Sequence, residues 1–196
     1  MALWGNSTTD ESKPKYLDRV NKNGLLEDCF ADERGWILRH FKQKGDKAAA
    51  VAAKEYWDEV IVAIGGLAGG TSTTAALGGA TISAIFFEQE SLAQTDTGTV
   101  ALIYNEKVDV TAGATLVVTG SVTGAVTATY ARGTGSNRIE FDFTVPSQAE
   151  DLSIGAQTIS GTIEDAGTSV ASDKVVVAED VIGAGGEGTD LTITVA

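Results

Sequence analysis

Residues able to do acid–base, nucleophilic or metal chemistry are few in this chain, and their spacing works against each reaction class. His40 is the one histidine among 196 residues. A single imidazole excludes a two-histidine metal site and gives a hydrolytic triad little to build on. It lies in a β-like run beside Phe41, which points to a structural or surface role. Cys29 is the one cysteine, so no intrachain disulfide can form. The preceding Glu27 and Asp28 disfavour a thiolate, and Cys29 reads as a small packed side chain.

Carboxylates occur as adjacent pairs, Glu150-Asp151 and Glu164-Asp165. In a strand, neighbours point to opposite faces, a poor geometry for shared acid–base work. In a loop such oxygens suit Ca²⁺, but no D-x-D-x-D-G spacing is present, and no metal ligands are assigned. The glycine runs fit neither phosphate-binding pattern: no Lys-Ser/Thr follows Gly183 to Gly188, and Gly65-Gly66 and Gly69-Gly70 continue as neither G-x-x-x-x-G-K-S/T nor G-x-G-x-x-G. No catalytic residue, cofactor or enzymatic activity is expected.

The chemistry that remains is that of a contact surface. Trp4, Tyr16 and Leu17 sit in an opening polar stretch with no helical or strand period. A free arm of this composition is expected to be disordered. Apolar anchors on such an arm become useful when it orders against a partner. Lys13, Lys15, Arg19 and Lys22 flank Tyr16, but Asp10, Glu11 and Asp18 interleave with them. A nearly neutral, mixed-charge arm suits a protein partner better than a nucleic acid.

The net charge is −13, which argues against nucleic acid and anionic membranes as partners. It is unevenly spread: residues 1–80 carry −1 and residues 81–196 carry −12. The balanced part suits docking; the acidic part suits a solvated surface. No secretory signal is expected in the first twenty residues. Apolar runs such as Val60 to Ile64 and Ile82 to Phe87 are far too short to span a bilayer.

The elements that must position these residues fall into three zones: 1–70, an arm and small β module; 71–79, a Gly/Thr-rich linker; and 80–196, a β domain. Within 31–66, Gly35 to Phe41 and Tyr56 to Ile64 read as two paired strands. The Ala-rich connection between them reads as flexible or briefly helical. Two strands alone are marginal in water and need a further layer. All three tryptophans (Trp4, Trp36 and Trp57) precede the linker.

Beyond the linker, strands are predicted over 82–88, 99–104, 115–119, 126–130, 138–145, 157–163, 174–177 and 191–195. Ile139 to Val145 alternates strictly, which predicts one buried and one wet face. Short strands with a turn about every ten residues predict a mainly β chain: an immunoglobulin-like β-sandwich preceded by an extended N-terminal arm and a small two-stranded β module. The Cys…Trp…Cys hallmark of antibody domains is absent.

Two stretches carry a resemblance. Ala2-Leu3-Trp4-Gly5-Asn6, Lys13-Pro14-Lys15-Tyr16-Leu17, Gly35-Trp36-Ile37-Leu38-Arg39 and Glu59-Val60-Ile61-Val62-Ala63-Ile64-Gly65, in that order, resemble the opening module of virion structural proteins from large contractile-tailed phages of marine cyanobacteria. Ala128 to Val145, followed by Gly161-Thr162-Ile163-Glu164-Asp165-Ala166-Gly167, is similar to bacterial and phage immunoglobulin-like repeats of adhesins and virion appendages. Thr168 stands where that pattern has Asn.

The resemblance implies a phage virion structural protein at the particle surface. Its most concrete form is a capsid decoration or cement protein that contacts other virion proteins, above all the major capsid protein. A homo-oligomer is compatible with it. The alternatives are a neck, tail or baseplate component, and a glycan-binding host-adhesion module. The partner-binding residues expected are Trp4, Tyr16, Leu17, Trp36 and Trp57. For Trp36 and Trp57 the competing reading is that they fill the core of the small module.

Overall fold

The computed structural model describes residues 28–42, 47–69, 77–89, 91–111, 113–168, 170–177 and 192–196. The chain is mainly β: the described residues form one sheet of twelve strands and a separate two-stranded sheet. The first strands are β1 (Cys29–Asp32), β2 (Gly35–Phe41) and β3 (Tyr56–Ala63), with a short helix α1 (Lys47–Ala52) between β2 and β3. Three antiparallel strands thus stand where two were predicted. Cys29, Phe30 and Ala31 are too few apolar residues to show a period, but pairing Cys29 with Leu38 and Ala31 with Trp36 buries all of them. Gly35 makes the β1–β2 turn possible. Its φ of +128° is one that L side chains rarely adopt, and a Cβ there would overlap the Val62 carbonyl on β3.

The other strands are β4 (Ile82–Phe87), β5 (Ser91–Leu92), β6 (Thr97–Val110), β7 (Thr115–Gly120), β8 (Gly124–Arg132), β9 (Ser136–Thr144), β10 (Glu150–Ser153), β11 (Gln157–Thr158), β12 (Ile163–Asp165), β13 (Val175–Val176) and β14 (Thr192–Val195). The sheet runs β3-β2-β1-β6-β9-β8-β7-β10-β14-β5, with β4 and β12 also on β6, while β11 and β13 pair separately. Strands from β4 to β14 send side chains into one apolar cluster, including Phe87, Leu102, Tyr104, Leu116, Phe141, Leu152 and Val195. Strands so far apart along the path share a core only because the sheet curls around it.

β6 is the spine. It runs six residues past the predicted end at Tyr104, because β12 pairs antiparallel with its last residues, from Ile163 opposite Val110 to Asp165 opposite Val108. β1 joins it in parallel at Ala31 opposite Glu106. The predicted strand 157–163 is instead two short strands, β11 and β12, separated by Ile159 to Thr162.

The face of β9 expected to be wet is largely buried. Glu140 is 2 % exposed and is held by Arg132 at 2.6 Å and Arg138 at 3.0 Å. Arg138 also pairs with Glu88 and lies over the Phe86 ring. Helix α1 packs against β9. Ala84, Phe86, Ala101 and Ile103 form a second small core on β4 and β6. Both faces of the central strands are therefore covered, and the polar row of β9 is accommodated by pairing its charges.

Candidate partner interface

Strand β3 ends the sheet. Among the described residues it pairs with β2 alone, from Gly35 opposite Ala63 to Phe41 opposite Tyr56. Its eight residues contain no proline and no lysine, the usual guards of a free edge. A strand edge of this kind presents backbone donors and acceptors to an added strand.

One face of β3 is tied down. The Arg39 guanidinium is buried, 3.9 Å from the Tyr56 ring centre and 4.8 Å from that of Phe30. It donates two hydrogen bonds to the Asp58 carboxylate, at 2.7 and 2.9 Å. The planar fork matches both carboxylate oxygens while the rings stack on its faces, a geometry lysine cannot reproduce.

The other face is open at one end. Trp57 is 53 % exposed. Its ring stacks on His40 with centroids 5.0 Å apart and planes 14° from parallel. His40 Nε2 lies 2.8 Å from a carboxylate oxygen of Glu59, in an exposed hydrogen bond. The result is a flat aromatic and polar platform beside a strand edge left unpaired among the described residues. Val60, 41 % exposed, lies opposite Ile37 and so belongs to the face of Tyr56 and Asp58.

The two tryptophans of this layer have different fates. Trp36 lies opposite Val62, at the end of the hairpin that Leu67 and Ala68 fold over. It is 2 % exposed and belongs to the layer's own core with Cys29, Ala31 and Leu38. A buried indole cannot anchor a partner without unfolding the layer. Trp57 lies opposite His40, at the uncovered end. The hairpin therefore separates these two residues and leaves Trp57 on the surface. Trp4, Tyr16 and Leu17 lie outside the described residues.

The signal for His40 and Glu59 as companions of Trp57 was present in the alternation of the two runs. Pairing Phe41 with Tyr56 places all three on one face. That pairing register is a property of the folded hairpin and was not set by either run alone.

The adjacent carboxylates point to opposite faces, as strand geometry requires. Glu150 is buried and Asp151 exposed; Asp165 is buried and Glu164 half-buried. Glu150 accepts the N–H groups of Val122 at 2.8 Å and Thr123 at 2.9 Å, together with the Thr123 hydroxyl. The hydroxyl first, and then the two N–H groups, hold its carboxyl below the usual range, against the opposing effect of burial. Its role here is to tie the β7–β8 turn. Among the described residues no group of three or more His, Cys, Asp or Glu could hold a metal ion, and no helix is long and apolar enough to cross a membrane.

Comparison with protein-family models, with curated proteins and with solved structures found no match to this chain.

Proposed function

We propose that this chain is a virion structural protein of a tailed phage. In this reading it is a capsid decoration or cement protein that docks through its N-terminal module on the major capsid protein. It displays an acidic, immunoglobulin-like β-sandwich at the particle surface. The observation that carries the reading is Trp57, half exposed and stacked on His40 at an edge of β3 that no other described strand covers. A free edge with an aromatic beside it is suited to receive a strand from another protein.

Three further observations support it. The ordered motifs of the first 66 residues resemble phage virion proteins. The charge of −12 over residues 81–196 suits an outward, solvated face. The curled sheet around one core, with its hairpins and short strands, fits a sandwich of the immunoglobulin type. Trp57 then acts with Trp4, Tyr16 and Leu17 as the contact set, and repetition over a particle multiplies a modest single-site affinity.

Difference imaging of particles with and without this protein tests the reading. Density spread regularly over the head is the expected result. Density confined to the neck, tail or baseplate, or none, overturns the decoration role.

A further inference from the structure

The face of β6 that looks into the large core carries Val100, Leu102, Tyr104 and Val108. Glu106 stands in the same alternating row, where the pattern calls for an apolar residue. It is 1 % exposed, and neither carboxylate oxygen has a hydrogen-bond partner among the described residues. The N–H of Gly69 approaches it without closing a bond of normal geometry. An ionised carboxylate cannot be kept in such a place without a partner, so the group is held neutral.

The charged group acting on Glu106 is Asp165 of β12. Asp165 is itself buried, accepting the Ala80 N–H at 2.7 Å and the Ser172 hydroxyl at 3.2 Å. The other charges around the joint are engaged elsewhere. On β1, Asp32 is held by Arg34 at 2.7 Å. On β6, Lys107 lies 5.3 Å from the Phe30 ring centre. On β12, Glu164 occupies the opposite face from Asp165. Burial first, and then the charge of Asp165, push the Glu106 carboxyl up to about 8.

Glu106 is also where the N-terminal layer meets the spine, because Ala31 opposite Glu106 is the register pair between β1 and β6. The ladders from β6 to β9 and to β4 are long by comparison. An ionised Glu106 needs water, and the joint is the weakest cover it has. We propose that Glu106 is a pH-responsive latch: in its neutral form it keeps β1 docked on β6, and on ionisation it releases the N-terminal layer from the rest of the sheet. The latch stands whether or not the layer docks on a capsid.

Cys29, the one thiol of the chain, is fully buried in the layer's own core. A three-stranded layer released from β6 is too small to keep that core closed, so the thiol reports the opening through it. Its alkylation rate by iodoacetamide, divided by the rate for the urea-unfolded chain at the same pH, removes the intrinsic reactivity of the thiolate. Protection in the wild type is expected to fall about tenfold or more between pH about 6.5 and about 9.5. In Glu106→Gln it is expected to change by less than about twofold over the same range. Equal pH profiles in the two proteins, or full protection of the wild type at the higher pH, overturn the latch.

Should Glu106→Gln not fold, Glu106→Leu serves in its place. Hydrogen exchange of the wild type alone also decides the matter. After correction for intrinsic rates, loss of protection confined to β1 supports the latch. Loss of β1 and β9 protection in step means global unfolding and overturns it.

Discussion

The side-chain amide of Gln157 pairs with both backbone groups of Val117, accepting its N–H at 2.7 Å and donating to its carbonyl at 2.8 Å. A side chain thereby takes the place of a neighbouring strand. β10 covers β7 at Thr119 and Gly120, and Ser160 donates its N–H to Thr115 at 2.9 Å. Gln157 fills the space between them, so this side of β7 is closed along its length. Gln157→Ala is expected to cost about 0.5–1.5 kcal/mol, since water can replace the lost bonds at this exposed site. Gln157→Glu loses the donor and sets a carboxylate against the Val117 carbonyl, and it is expected to cost at least as much. Urea midpoints at unchanged m-value, together with exchange of the Val117 amide, check both.

Trp36 and Trp57 separate stability from contact. Trp36→Ala empties a core position and is expected to cost about 3–5 kcal/mol. Trp57→Ala removes an exposed ring and is expected to stay within about 1 kcal/mol of wild type while weakening particle attachment. Chemical denaturation and co-sedimentation with particles, run on both variants, read the two effects. Undiminished attachment of Trp57→Ala removes it from the contact set.

Gly98 on β6 lies opposite Phe143 on β9. A Cβ there would overlap the Phe143 ring, which packs edge-on against Phe87 with centroids 6.1 Å apart. Gly98→Ala is expected to destabilise by about 1–3 kcal/mol through overpacking. The pair Gly98→Ala with Phe143→Leu is expected to cost less than the sum of the single changes, as a double-mutant cycle would show.

Glu150 gives an acid-sensitive turn. Its carboxyl is held below the ordinary 4.5, so its contribution is present above that value and lost as pH falls through the folded-state value. Amide exchange of Val122 and Thr123, corrected for intrinsic rates, is expected to speed up as pH falls through the lowered folded-state value of Glu150. Glu150→Gln is expected to show the faster exchange already at neutral pH.

Glu106 has the opposite sign. Its proton is held up to about 8 in the folded chain, against 4.5 for an ordinary carboxyl. The folded state therefore binds more protons across that window, and stability falls as pH rises through it, levelling off above the folded value. The slope is on the order of 1.4 kcal/mol per pH unit at its steepest. Glu106→Gln is expected to lack it, so its advantage over wild type grows from about pH 5 to about pH 8 in urea melts.

Some of this was legible in residue order and some was not. The alternation from Ile139 to Val145 located β9 to within two residues, because strand period and apolar pattern coincide there. Its polar row was read as wet because the alternation does not tell that α1 packs against β9 or that Arg132 and Arg138 hold Glu140. The predicted strand stopped at Tyr104, where the apolar run gives way to the polar Asn105-Glu106-Lys107. Yet Val108 and Val110 continue the same two-residue period past it, and that continuation was the one available sign that Glu106 faces inward. Trp36 and Trp57 share residue type and strand context. Their different fates depend on hairpin register and on Leu67 and Ala68 closing over one end, both of which are long-range.

The parallel pairing of β1 with β6 has a consequence for synthesis. β1 to β3 leave the ribosome well before their partner strand, and until Glu106 emerges the nascent layer has no spine to lean on. Its apolar residues then wait in water, and loop closure across the intervening chain must precede any reward from that contact. During this interval another polypeptide could capture the layer before its own chain does, so the timing of assembly becomes a question of translation rate as well as of affinity.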